Sequence, residues 1–313
     1  MNRRRLLTGL GGFSVTGLAG CLGRCTVTDS PGPLEERTLT HDGRERRFFV
    51  FRPVDATGPL PTVLILHGGG GSAEQVERDT RFRELAASEG FVAVFPDGVD
   101  GNWNDLRSTD VTTAHREGID DVGFLAAVID RLVDEEIADR ENVFCTGISN
   151  GGMMTLRLAT ERPDLLTGAM AVSANLPVSD ASDLPIDPAP LPMAFVHGTA
   201  DPLVPYDGGV VGFARSSEGR GRVRSADDTV AVWVDANGCD PKPTVTTQDC
   251  ADDETSVEFR EYGGGTAPVR HVVLHGGGHG WPGADSPWFD MLVGPTTQEV
   301  SGEELAWEFF AAR

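Results

Sequence analysis

The sequence predicts an α/β fold, a single domain on a mainly parallel sheet with helices on both faces. Three observations predict it. Short continuous apolar runs, the mark of strands buried on both faces, alternate with segments of helical period. No linker divides the chain after residue 36. A length of 313 residues suits one large α/β domain.

The elements follow in order. Asp42-Gly43 is a turn before a strand over 46–52, so the domain opens with a hairpin. Residues 62–66 form a buried strand and 73–90 a helix. A second buried strand over 91–95 stops at Pro96-Asp97-Gly98, and a long polar loop runs over 99–119. The next helix spans 120–137, with Val122, Leu125, Val128, Ile129 and Leu132 on one face. A strand at 143–146 precedes a helix over 150–160. Strands at 168–173 and 193–197 flank a Pro-rich excursion at 177–192. A helix at 227–237, strands at 257–262 and 269–274, and a closing helix at 303–312 complete the pattern.

Residues 1–20 read as an address rather than as structure. Arg3, Arg4 and Arg5 precede a weakly apolar, Gly-rich stretch too short to span a bilayer. Adjacent arginines favour the twin-arginine export route. The stretch ends Leu18-Ala19-Gly20-Cys21, which resembles a lipoprotein box with Cys21 as the acylated first residue; a plain cleaved signal is the alternative. Residues 21–36 then form a tether and 37–313 the catalytic domain. The protein is expected on the outer face of the cell membrane or secreted, held to the membrane only through its N-terminal lipid.

The net charge of −22 argues against nucleic acid as a partner. Removing residues 1–20 takes three arginines and no acids, leaving the chain more acidic still. Lys242 is the sole lysine. An acidic, lysine-poor composition looks like that of a halophile's protein at high salt, where screening suppresses self-repulsion; an ordinary acidic exported protein is the alternative. Of five cysteines, Cys239 and Cys250 flank a polar loop that a disulfide could close, worth about 3 kcal/mol on the chain-entropy model. Cys145 lies in an apolar run and reads as a buried hydrophobe, and Cys25 as a free thiol beside the anchor. No metal-ligand spacing occurs, so no metal or organic cofactor is expected.

The chemistry lies at strand ends. Gly147-Ile148-Ser149-Asn150-Gly151 fits G-x-S-x-G between a strand and a helix, the context of a nucleophile elbow. His67-Gly68-Gly69-Gly70-Gly71 follows the 62–66 strand and resembles a loop that donates backbone N–H groups to an oxyanion. No Lys-[Ser/Thr] follows, which excludes a P-loop. The donors would be the N–H groups of Asn150 and Gly69, with His67 holding the loop. Asp201 in His197-Gly198-Thr199-Ala200-Asp201 stands where an orienting acid belongs, with Asp207 its rival. His279 follows the last strand, while His271 and His275 lie within it or at its end. The order Ser149, Asp201, His279 is that of α/β hydrolases. Trp281, two residues from His279, and Trp103 in the long loop are candidates for the substrate pocket, with a loop anchor the equal alternative for Trp103. Trp233 and Trp307 fall at core spacing.

These segments, with Trp103-Asn104-Asp105, Asp120-Asp121-Val122-Gly123-Phe124, Gly152-Met153-Met154 and Gly277-Gly278-His279-Gly280-Trp281-Pro282-Gly283, resemble the polyhydroxybutyrate depolymerase-like esterases. That family includes feruloyl-esterase-like enzymes and bacterial lipoproteins. The resemblance spans about residues 37–313. It implies an α/β-hydrolase fold, hydrolysis of carboxylic esters, and Ser149, Asp201 and His279 as nucleophile, acid and base. The family often carries Cys where Gly69 stands and Thr or Ser where Gly280 stands.

The expected substrates are soluble esters or short oligomers: hydroxyalkanoate, feruloyl or acetyl esters. Only 34 residues follow His279, too few for a polymer-binding module beside the closing helix. Two competing readings are a prolyl-oligopeptidase-type peptidase, for whose propeller the length leaves no room, and a non-catalytic lipid-anchored binding protein, which loss of a triad member would favour.

Overall fold

The computed structural model describes residues 32–182, 185–212, 220–284 and 291–313. The expected export segment over 1–20, Cys21, Cys25 and Trp288 lie outside the described residues. Residues 31–313 form one compact unit.

The chain runs β1 (Glu35–His41), β2 (Arg44–Phe51), β3 (Leu60–Leu66), α1 (Ala73–Asp79), α2 (Phe82–Glu89), β4 (Val92–Pro96), α3 (Thr113–Arg116) and α4 (Asp121–Asp134). It continues through β5 (Ala138–Ile148), α5 (Asn150–Glu161), β6 (Gly168–Val172), β7 (Met193–Gly198), β8 (Gly209–Val210), β9 (Arg222–Val223) and α6 (Ala226–Ala236). It ends with β10 (Thr244–Gln248), β11 (Ser256–Tyr262), β12 (Val269–His275) and α7 (Gly302–Ala311).

The buried runs pair side by side because a strand buried on both faces has only other strands to satisfy its backbone. They form a ten-stranded sheet in the order β1-β2-β4-β3-β5-β6-β7-β12-β11-β10. The six strands from β4 to β12 are mutually parallel, and antiparallel strands extend both edges. Asp42 and Gly43 both take positive φ, which closes the predicted β1–β2 hairpin. One face packs Phe124, Leu125, Ile129, Met153, Leu156 and Trp233 from α4, α5 and α6. The other packs Val76, Phe82, Leu305, Phe309 and Phe310 from α1, α2 and α7. Trp233 and Trp307 belong to these cores as expected, Trp307 stacked on Phe91 at 4.2 Å.

Three expectations need correction. The helix over 73–90 is two helices. Thr80 is extended, its N–H and hydroxyl both donating to Val76 O, and the break turns Phe82 into the core against Trp281. Strand β10 was not anticipated. Its residues TVTTQ are almost wholly exposed, so no apolar period marks them; pairing with β11 makes them a strand. The Cys239–Cys250 disulfide is absent, and both thiols are free. Cys239 is buried, with Sγ donating to Ala267 O, while Cys250 N–H is held by the Glu299 carboxylate. Between them lies extended β10, rising about 3.3 Å per residue, so the two cysteines stand well beyond the roughly 7 Å a disulfide can bridge. Cys145 is fully buried as expected, and burial pushes its thiol up to about 12. Among the described residues no helix is long and apolar enough to cross a membrane, and no cluster of ligand side chains could hold a metal ion.

Candidate active site

Strand β5 ends at Ile148 and α5 begins at Asn150, so the chain turns from strand to helix within Ser149. The Ser149 backbone takes φ 58° and ψ −122°. That conformation costs on the order of 1–3 kcal/mol for a residue with a Cβ and persists only where its surroundings enforce it. Here Ser149 N–H donates to Val172 O, and Ser149 O accepts from Met153 N–H. The flanking glycines are a packing requirement. A Cβ on Gly147 would stand 2.6 Å from the Gly151 carbonyl carbon, and one on Gly151 would collide with the carbonyl oxygens of Leu66 and His67. The strand-turn-helix geometry expected of the elbow is therefore present, and Ser149 is among the residues lining a cleft of about 1220 Å³.

The glycine loop after β3 forms the adjacent wall. His67 is buried, and burial lowers its imidazole. Its Nε2 accepts from Gly98 N–H, which leaves Nδ1 as the donor to Gly68 O and fixes the neutral tautomer. The loop is thereby tied to the segment after β4, the holding role expected of His67. A Cβ on Gly68 would be 3.6 Å from Ser149 Cβ, and one on Gly69 would be 3.5 Å from Asn150 Cβ. Gly69 and Asn150, the two expected oxyanion donors, thus stand on neighbouring walls beside Ser149.

Asn150 carries a second task that single-sequence reading missed. Its side chain is buried and clamps the long loop: Oδ1 accepts from Trp103 N–H, and Nδ2 donates to Trp103 O and to Asp105 Oδ2. Asp105 is fully buried and also binds Arg107 through both Nε and Nη2. Burial raises the Asp105 carboxyl, but the Arg107 guanidinium and the His115 ring outweigh it and hold it well below the usual carboxylate range. The motif Trp103-Asn104-Asp105 was visible in the sequence; that it grips the residue after the nucleophile was not.

Trp103 departs from expectation. It is fully buried, its Nε1 donates to His67 O, its ring lies 5.0 Å from that of His67, and it is not among the residues lining the cleft. It is a loop anchor and not a pocket wall, because its partners satisfy its only polar group on the inner side of the loop. Trp281 does line the cleft, with Nε1 on Glu303 Oε2 and its ring edge-on to Phe82.

Asp201 and His279, the expected acid and base, stand on two strand-end loops laced together. Thr199 N–H donates to Leu274 O, and Ala200 N–H to Gly277 O. Asp201 Oδ1 accepts the N–H groups of Leu203 and Val204, which turns Oδ2 towards His279 Nδ1 at 2.7 Å. His197 Nε2 donates to Val204 O and lies 3.4 Å from the same Oδ2. Burial raises the Asp201 carboxyl, but the hydrogen bonds from His197 and His279 prevail and hold it well below the ordinary range. Ser149 and His279 line the same cleft. The rivals fall away: Asp207 and His275 are exposed, and His271 is buried inside β12, where burial pushes its imidazole down to about 3. At Gly280 a side chain would collide with Thr296 Oγ1, which accounts for the missing Thr or Ser there.

Comparison with known proteins agrees with this geometry. The phospholipase/carboxylesterase family model matches residues 55–212. NocK of Nocardia uniformis subsp. tsuyamanensis, named as an esterase, is 33% identical over 80% of this chain and 73% of its own. Feruloyl esterase C of Emericella nidulans is 27% identical over 91% of this chain and 92% of its own. In fold, the acetyl xylan esterase from Aspergillus awamori superposes with a TM-score of 0.59 at 17% identity, covering 89% of this chain and 100% of that one.

Proposed function

Because the chain belongs to the phospholipase/carboxylesterase family and is a carboxylic ester hydrolase, we propose that it is an exported serine esterase working through Ser149, His279 and Asp201. The observation that carries this reading is the 2.7 Å contact of His279 Nδ1 with a buried carboxylate, in a cleft that both His279 and Ser149 line. With its Nδ1–H held by Asp201, His279 presents a lone pair on Nε2. That nitrogen takes the Ser149 proton as Oγ attacks the ester carbonyl, and Asp201 stabilises the imidazolium. The N–H groups of Asn150 and Gly69 receive the oxyanion; losing one such donor typically costs about 3–4 kcal/mol of barrier. His279 returns the proton to the departing alkoxide, leaving an acyl group on Ser149. Water, deprotonated by His279, releases the acid.

The substrates we propose are soluble feruloyl, acetyl or hydroxyalkanoate esters, of the polyhydroxybutyrate depolymerase-like kind. The esterase names of the relatives support the first two, and the motif resemblance supports the third. A fluorophosphonate probe tests the site directly. It should label the protein stoichiometrically, with the mass increment on the peptide containing Ser149. A label on another residue, or none in folded protein, refutes the assignment.

The sequence of residues 1–21 supports attachment to the outer membrane face through a lipid on Cys21, and the acidic composition supports work at high salt. Cys21→Ser should move the protein from the membrane fraction to the medium or leave it unprocessed. A native protein already free in the medium, with no lipid mass on its first residue, defeats the anchor.

A further inference from the structure

We propose that Arg220 selects esters carrying a carboxylate close to the scissile bond; the inference rests on the esterase reading of the Ser149 cleft. In a chain of net charge −22, an arginine has abundant partners. Most described arginines take one: Arg37 with Glu135, Arg46 with Asp121, Arg157 with Glu161, Arg270 with Glu261. The Arg220 side chain lines the cleft and makes no ion pair or hydrogen bond among the described residues. Its Nη1 lies 3.5 Å from the point where a Cβ on Gly69 would stand, a point also 3.5 Å from Asn150 Cβ. The guanidinium therefore stands beside Gly69, one proposed oxyanion donor, in the cleft that Ser149 also lines.

The backbone beneath Arg220 is built rather than loose. Arg220 N–H donates to Val211 O, and Val211 N–H to Gly221 O. Arg107 Nη1 donates to Arg220 O at 2.6 Å, and Arg107 is itself clamped by Asp105. Asp105 thus holds the Asn150 side chain directly and the Arg220 backbone through Arg107. Arg78 and Arg81 also line the cleft unpaired, against Asp79 and the Trp281-bound Glu303 as the acids in the described lining. The described lining carries more arginines than acids, inside a negative protein. An excess of cations in a cleft focuses anions, and a guanidinium matches a carboxylate with two parallel N–H donors.

The test uses matched esters that differ in one charge. Monomethyl glutarate is compared with methyl glutaramate, and 3-acetoxybutanoate with 3-acetoxybutanamide, which put the carboxylate on the acyl and alcohol sides respectively. In at least one pair kcat/KM should favour the carboxylate by tenfold or more, and molar salt should shrink the ratio. Arg220→Gln should bring it to within about twofold of unity, and Arg220→Lys should retain part of it. Equal turnover within both pairs overturns the inference and leaves the esterase reading standing. So does an equal loss on both members in Arg220→Gln, which would mark a guanidinium acting on the oxyanion and not on substrate charge. No turnover of any ester, by protein that fluorophosphonate does not label at Ser149, overturns both.

Discussion

Ser149→Ala lowers kcat on any ester by about a million-fold, the loss seen when a serine hydrolase loses its nucleophile. The residual rate is what the Asn150 and Gly69 N–H groups and binding can supply to an attacking water. The fold should survive. The strained turn is set by Gly147, Gly151 and the hydrogen bonds of the Ser149 backbone, none of which involves the hydroxyl. Alanine keeps the Cβ and the same φ and ψ, so the melting temperature should stay within a few degrees of wild type. The measurement is kcat alongside a thermal melt. A folded variant that keeps a hundredth of the activity would show that Oγ does not attack the substrate.

Much of this site was legible in the sequence because its chemistry depends on local geometry. G-x-S-x-G needs small neighbours within four residues, and the strand before it and helix after it announce themselves by apolar period. The pairing of Asp201 with His279 was legible by order along the chain, since each follows a strand of the parallel sheet. What stayed hidden depends on contacts between distant segments. Trp103 reads as a pocket aromatic until His67 O appears as its partner, 36 positions away. Arg220 reads as one more surface arginine until the chain brings it over Gly69. Strand β10 is invisible because an exposed edge strand needs no apolar period, only a paired neighbour. The cysteines misled for the opposite reason: closeness in sequence suggested a bridge, and the strand between them holds them apart.

One buried anchor links the parts of the site. Asp105 lies under the cleft floor and reaches Asn150 on the elbow, Arg107 and His115 in the long loop, and Arg220 through Arg107. A fully buried carboxylate with this many donors has its charge neutralised in place, and removing one donor would leave charge uncompensated. The loop over 99–119 is thus tied to the elbow through buried hydrogen bonds, which suits a wall beside the proposed reaction site.

Asp201→Asn should lower kcat by about 10⁴-fold while leaving a folded protein. The Asp201 Oδ1 contacts to Leu203 and Val204 N–H can be kept by the asparagine carbonyl oxygen. Oδ2 becomes an NH₂ group facing His279 Nδ1 and the His197 Nε2 that donates to Val204 O. To accept from that amide, His279 must carry its proton on Nε2, the nitrogen that has to take the Ser149 proton, so the base is blocked while the residue stays in place. The Asp201 carboxyl is depressed in the folded state, so its contribution to stability is complete above its ordinary value of about 3.9 and is lost only as pH falls through the lower folded value. Asp201 therefore stays ionised throughout the mildly acid range, and its protonation does not set the acid limb of wild-type activity. The loss in Asp201→Asn is measured as kcat at pH 8 against wild type at the same pH, beside a thermal melt. A loss below tenfold in folded protein would show that the His279 tautomer is not what Asp201 controls.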